Sequence, residues 1–448
     1  MLVLFSRHLT SRQRYVAGVL REAYGLDLHC EERECEAGFM FVTLNDKPLA
    51  RWRIHPLGID GAAGDTEVMW TSWEHQGEVK CRLILPCATG SDEEALSFDP
   101  LAATFWGLTC WHEQHDRCGR DVHGRPETAQ LPWSAFSGEV VFKEHGLEAR
   151  HQHRWPWLEV MWTVLFTEWG VDLPKGITFK PTIDVDVAYK HLGRSRLKTA
   201  GLYARDLLSG RWSLARERWA VRRGCVSDPY DTYGWLKEVH REENLWWFIL
   251  AADRTPPYDI GLDPELSVLQ HLVEALSWHP GASKVCWHPG YRAMDEVGWR
   301  RRERVRFEGW QGASSGLIRS HFLRSHPARD WVMWEQEGVQ EDASLGWSRD
   351  VGFRAGVSRP FLAYDVQRDR EMALTIHPIA VMDSALRVGL DLEASEAQDQ
   401  MDRWMAVVAE VGGDWMSCWH NTSVSDSEEW VGWRATYLHM VQTARSLS

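Results

Sequence analysis

Pro181-Thr182-Ile183-Asp184-Val185-Asp186-Val187-Ala188-Tyr189 is the stretch from which the rest of the chain can be read. Side chains alternate across a strand, so Ile183, Val185 and Val187 share one face while Asp184 and Asp186 share the other. Two carboxylates on one face of a strand with apolar flanks repel each other and lose hydration. A divalent cation relieves both costs. A proton held by one of the acids is the alternative, and a solvated or capping pair is the structural reading.

Downstream of this strand the chain has a rhythm of apolar, β-rich runs followed by helix-like stretches. The runs are Thr182–Ala188, Leu245–Ala251, Ser283–His288, Gly316–His321, Gly352–Arg354, Leu374–His377 and Asp414–His420. Strands alternating with helices imply parallel pairing, and about seven such units suit a (β/α) barrel, complete or incomplete. Upstream the pattern is mixed. Gly38–Leu44 and Val79–Pro86 read as strands. Phe98–Leu108 reads as a helix capped by Asp99 with Pro100 at its first position. A helix over Leu158–Trp169 ends at Gly170, with Pro174 beyond. The expected fold class is therefore α/β, with a smaller α+β N-terminal domain over residues 1–175 and the barrel over 176–448.

Several barrel runs end on a histidine and then turn: His288 before Pro289-Gly290, His377 before Pro378, and His420 before Asn421. His321 follows another run. Polar groups at the C-terminal ends of barrel strands gather at one mouth, and neutral imidazoles with carboxylates are ligands for zinc and similar ions. Arg354, between Gly352 and Gly356, could orient a carboxylate ligand or bind substrate, and a plain structural salt bridge is the other reading. Glu341-Asp342 and Met382-Asp383 add strand-end acids. His112-Glu113-Gln114-His115 has its histidines three apart rather than the four that a zincin helix needs, and reads as a polar helix face. Ser227-Asp228-Pro229 reads as a helix start capped by Asp228. A phosphate-cradling glycine loop is absent from the sequence.

Bulk properties narrow the function. A net charge of −14 over 448 residues repels phosphate backbones and argues against nucleic acid and against an anionic membrane surface. Nine cysteines form no C-x-x-C pair, which fits a reducing compartment. The N-terminal apolar run is too short for a signal peptide, and an apolar stretch of about 20 residues, long enough to span a bilayer, is lacking. The expectation is a cytoplasmic protein without a membrane span. Tryptophan, at 27 residues, is read mainly as core filler.

Taken as a set, Ile183-Asp184-Val185-Asp186-Val187-Ala188-Tyr189, Asp228-Pro229-Tyr230-Asp231-Thr232, His288-Pro289-Gly290-Tyr291-Arg292, Arg319-Ser320-His321-Phe322-Leu323, Gly352-Phe353-Arg354-Ala355-Gly356 and Trp419-His420-Asn421 resemble the bacterial polysaccharide deacetylases, with their NodB-homology domain. Phe98–Ala103 and Asp121–Arg125 are similar to the long subgroup that carries an extra N-terminal domain. The resemblance implies a distorted (β/α) barrel, a divalent metal, most simply Zn2+, and removal of an acetyl group from an N-acetylated sugar or polysaccharide precursor. The family's adjacent aspartates are here separated by Val185. The residue four after His288, a histidine in the family, is Arg292, and His321 takes its place. The resulting expectation assigns Asp186, His288 and His321 to the metal, Asp184 to the general base and His420 to the general acid, with Arg354 and Asp383 orienting them. The N-terminal domain would shape the cleft or form a homo-oligomeric contact. The alternative is a non-catalytic, deacetylase-like carbohydrate-binding or assembly protein in surface polysaccharide biosynthesis, with Trp287, Trp347 and Trp419 stacking on sugars. An amidohydrolase or phosphodiesterase would need a His-x-His pair in the barrel, which residues 176–448 lack.

Overall fold

The computed structural model describes residues 1–55, 70–76, 79–86, 95–114, 118–128, 139–142, 147–149, 151–277 and 283–448. Its strands, in chain order, are β1 (Leu2–Ser6), β2 (Leu28–Glu32), β3 (Phe39–Leu44), β4 (Lys47–Arg53), β5 (Trp70–Gln76), β6 (Val79–Pro86), β7 (Glu139–Phe142), β8 (Leu147–Ala149), β9 (Thr178–Val185), β10 (Trp246–Leu250), β11 (Lys284–His288), β12 (Leu317–Ile318), β13 (Glu341–Asp342), β14 (Phe361–Asp365), β15 (Arg370–Ile376), β16 (Val381–Met382) and β17 (Asp414–His420). They form a four-stranded sheet β2-β1-β3-β4, a second sheet β5-β6-β7-β8, and a nine-stranded sheet β14-β15-β13-β12-β11-β10-β9-β17-β16. The fold is mixed α/β: a curled half-barrel with a smaller N-terminal sheet. In the large sheet every ladder is parallel except β14–β15. Among the described residues, the parallel strands read as a ring lack a ladder between β15 and β16, so the barrel is open there.

Period-two patterning determines which side chains fill the barrel. Trp246 and Phe248 of β10, Cys286 of β11 and Met416 and Cys418 of β17 form one small buried cluster with Leu317, Ala343 and Ile379. Their neighbours Trp247, Ile249, Trp287, Trp415 and Trp419 belong to a second, much larger core beneath the helices. Ile183 and Val185 join that outer core, which leaves Asp184 on the inner face. The rim of the barrel is set by the parallel register, which brings His420 level with Asp184 and His288 level with Leu250.

Most of the expected strands are present with shifted ends, and the helix over Pro100–Leu108 is capped by Asp99, which accepts hydrogen bonds from Leu101 and Ala102. Gly352–Arg354 is not a strand. Gly352 has φ 100°, and a Cβ there would collide with the Arg154 backbone, so this segment is a loop packed on residues 153–157. Phe353 N–H donates to the His153 carbonyl (3.0 Å) and Leu158 N–H to that of Gly356 (3.0 Å). The helix expected at Ser227–Pro229 begins instead at Tyr233. Asp228 accepts backbone N–H groups of Lys190, His191, Leu192 and Tyr230, clamping a loop rather than a helix. No helix among the described residues is long and apolar enough to cross a membrane.

Candidate active site

Three imidazoles converge on Asp186, which lies just past the end of β9. His288 ends β11, and its Nε2 lies 3.3 Å from Asp186 Oδ1. His321, in a turn after β12, places Nε2 3.2 Å from Asp186 Oδ2. His420 ends β17, with Nε2 3.5 Å from the same oxygen. Each ring is oriented from behind through Nδ1. His288 Nδ1 meets the Arg319 carbonyl at 2.5 Å, His321 Nδ1 meets Asp259 at 2.9 Å, and His420 Nδ1 meets Asp383 at 2.8 Å. An acceptor at Nδ1 sets the tautomer and frees Nε2 toward the centre, the outer-shell arrangement of metal-ligating histidines.

Asp184 is buried beside this centre, with Oδ2 3.9 Å from His288 Nε2. Its Oδ1 accepts from Arg319 Nη1 (2.7 Å) and its Oδ2 from the Cys418 thiol (3.2 Å). Arg319 is fully buried, also donates to Thr182 Oγ1 (2.6 Å) and the Ala343 carbonyl (2.9 Å), and covers the Phe248 ring. Asp383 receives His420 N–H (2.8 Å) and the Ser423 hydroxyl.

The electrostatics follow from this packing. Burial pushes the Asp186 carboxyl up, but His321 and His420, together with His288, outweigh it and hold the group well below its usual range. Burial would pull the His321 imidazolium down, yet Asp186 and Asp259 raise it to about 9. Burial acts the same way on His420, and Asp383 and Asp186 raise it to about 10.

The residues suit a divalent cation. Asp186 Oδ1 is buried and receives no hydrogen bond. One ligand atom from each of Asp186, His288 and His321 lies within 4.8 Å of the others. Two imidazoles and a carboxylate are the donor set of catalytic zinc sites, which leave a position open. The centre opens into a cleft of about 420 Å3 whose walls include Phe322, Arg349, Met382, Trp430 and Arg125. Arg125 comes from the N-terminal part, where Asp121 grips its guanidinium, and it donates to the Phe322 carbonyl (3.0 Å). Phe322 and Leu323 both have left-handed backbones (φ 64° and 51°), a costly conformation for such residues that recurs beside functional groups.

The structure therefore brings together Asp184, Asp186, His288, His321, His420 and Asp383. It does not bring Arg354 to them. That guanidinium is taken up by buried Glu113 and the Ser325 carbonyl, because the loop carrying it packs on the N-terminal part rather than lining the barrel. The arginine that reaches the acids is Arg319. His377 is held by Glu341 (2.8 Å). His112 and Glu113 are buried rather than forming a polar face, and His115 lies outside the described residues. Trp287, Trp347 and Trp419 are 0%, 4% and 0% exposed, so none offers a face to a sugar. Trp287 and Trp419 immediately precede the site histidines, and one step along a strand reverses the face. Asp259 had no signal in the sequence, lying in a loop after β10. Arg319 stands two residues before His321, in a motif already singled out, with nothing to distinguish it from Arg354.

No family model and no curated protein matches the chain. Among solved structures it is similar to a putative polysaccharide deacetylase from Mycobacterium smegmatis, at 12% identity and TM-score 0.38, covering 61% of this chain and 90% of that one. It is similar to Puue allantoinase at 12% identity and TM-score 0.36, covering 61% and 85%. A probable polysaccharide deacetylase from Pseudomonas aeruginosa PAO1 is similar at 12% identity and TM-score 0.37, covering 61% and 86%.

Proposed function

We propose that the chain is a metal-dependent hydrolase that removes an acetyl or related acyl group from an N-acylated sugar or polysaccharide precursor. The observation that carries this reading is the convergence of three imidazole Nε2 atoms on Asp186, each with its Nδ1 committed elsewhere. Asp186, His288 and His321 would hold the cation, most simply Zn2+. When bound, it supplies positive charge that polarises an acyl carbonyl and eases deprotonation of a nearby water.

The chain's own groups supply the rest. Asp184 accepts the proton of the attacking water at its carboxylate, while Arg319 and Cys418 fix its orientation. His420, whose imidazolium is favoured by Asp383, gives its Nε2 proton to the departing amine. Asp383 holds that ring in place from Nδ1. Phe322, Met382 and Trp430 provide the apolar wall of the cleft; Trp430 is half-buried, unlike the three tryptophans inside the core.

The test is release of acetate from N-acetylated chito-oligosaccharides, with metal content measured on the same sample. Exhaustive chelation should abolish release, and Zn2+ or Co2+ should restore it. Asp186→Ala should lower kcat/KM by at least about a thousandfold. Full activity in a chelated, metal-free sample would end the reading.

A further inference from the structure

Between β9 and Tyr233 the chain leaves the barrel rim as a helical hairpin, Arg196–Leu208 and Trp212–Arg222. Its charge opposes that of the rest of the molecule. From Lys190 to Arg223 there are ten Lys and Arg against Asp206 and Glu217, a net of +8 in a chain of −14, so everything else sums to −22. Whole-chain charge conceals this segment.

The hairpin is also apolar where it meets water. Leu197, Gly201, Ala204 and Leu208 recur at i, i+4, i+7 and i+11, which is one helical face, and all four are exposed. The buried residues of that helix, Thr199 and Asp206, lie on the opposite side. On the second helix Trp212, Arg216, Trp219 and Arg223 share an exposed face, with buried Arg218 and Val221 on the other side. Leu197, Leu208, Trp212 and Trp219 are 85%, 89%, 67% and 51% exposed. Core packing explains none of them.

Some of the cations have structural work. Arg211 and Arg218 clasp Asp206, at 2.9 and 2.8 Å. Lys190 bridges Glu217 and Glu428 at the root. Arg196 and Arg216 have no ion pair among the described residues, and Arg223 only covers the Trp219 ring. The root is fixed to the cleft mouth: Tyr230 donates to Glu428 (3.1 Å), two residues from the cleft residue Trp430.

We infer that this hairpin docks the protein on an anionic lipid surface. Basic residues interleaved with exposed Leu and Trp are what a lipid interface accommodates: headgroups take the guanidinium groups while the acyl boundary takes the apolar stripe. A nucleic-acid backbone would satisfy the cations and leave Leu197, Leu208 and the tryptophans in water. The acidic remainder of the molecule is repelled by the same surface, so contact is confined to the hairpin and its root at the rim of the cleft. The inference is independent of the chemistry proposed for Asp186.

The test is co-sedimentation of the full chain with vesicles of phosphatidylcholine alone and of phosphatidylcholine containing about 30% phosphatidylglycerol, a content that gives a strongly negative surface. Binding is expected only to the anionic vesicles and should weaken with salt. The triple variant Arg196→Glu, Arg216→Glu, Arg223→Glu and the double variant Trp212→Ser, Trp219→Ser should each bind at least about tenfold more weakly. Both should keep the wild-type near-UV circular dichroism outside the substituted tryptophans. Equal binding to neutral vesicles, or anionic binding unchanged in both variants, would overturn the inference. So would a dimer that Trp212→Ser, Trp219→Ser dissociates, which would assign the surface to a second copy. Duplex DNA binding as tight as vesicle binding and untouched by the tryptophan variant would assign it to polyanions in general.

Discussion

At the residue scale the proposed centre depends on groups that do not face the cleft. Asp259 touches only the far side of the His321 ring, along with Thr255 and Tyr291 N–H. Asp259→Asn should leave the ring in its slot but remove the charge that stabilises it. Loss of such an outer partner costs metal sites about 10- to 100-fold in affinity, a change measurable by competition with a chromophoric chelator. The raised imidazoles give a second expectation. In the metal-free protein His321 and His420 titrate near 9 and 10, above the ordinary value of 6.5. Their stabilisation is therefore fully present below about 6.5 and lost as the pH rises through these values. The melting temperature of chelated protein should fall between about pH 7 and 10, and His321→Asn should flatten the fall. A cation at His321 must displace its proton. Titration calorimetry at pH 7 in buffers of different ionisation enthalpy should then show about one proton released per ion, with less release at pH 10. A flat melting profile in chelated wild type would mean that the imidazoles are not held charged.

Elements explain what could be read from sequence and what could not. Alternation along β9 puts Asp184 and Asp186 on one face, and the ends of apolar runs mark His288, His321 and His420, so these five are legible in the sequence as candidates. Alternation carries no information about turns: His321 reaches Asp186 from a left-handed corner at Phe322 and Leu323, and Asp259 does so from a loop. The Gly352–Gly356 segment misled because glycine-flanked apolar residues resemble a short buried strand, whereas the positive φ values of both glycines make it a packed loop. Gly352→Ala tests this. The methyl group would be forced into the Arg154 backbone in a backbone region that disfavours any L side chain. Strain of about 1–3 kcal/mol and overpacking of about 1–3 kcal/mol should act together, reducing stability by at least about 2 kcal/mol in urea titration. A change within about 0.5 kcal/mol, as for an ordinary surface site, would show that the loop is loosely held.

For the whole molecule, the question is whether residues before about 175 form an accessory or part of one folding unit. Their attachment is extensive. Buried Glu113 pairs with buried Arg354, Glu159 holds Ser358 and Arg359, and Asp350 is gripped by His153 and Arg154. Tyr15 donates to the Leu362 carbonyl (2.6 Å), and Phe105 meets Tyr364 edge to face at 5.1 Å. One hydrophobic core runs from Leu2 to Ala444. Removing the N-terminal part would leave Arg354 and Arg359 without carboxylates in an apolar setting, a loss that costs about 3–5 kcal/mol for each broken buried pair, against a total stability of about 5–15 kcal/mol for a domain. Residues 176–448 expressed alone should therefore aggregate or bind 1-anilinonaphthalene-8-sulfonate as a loosely packed state, and the full chain should unfold by calorimetry in a single transition. A soluble 176–448 fragment with near-UV circular dichroism and a cooperative melt of its own would instead establish two independent units, and would make Arg125 a contribution from a separable neighbour rather than from a wall of the same domain.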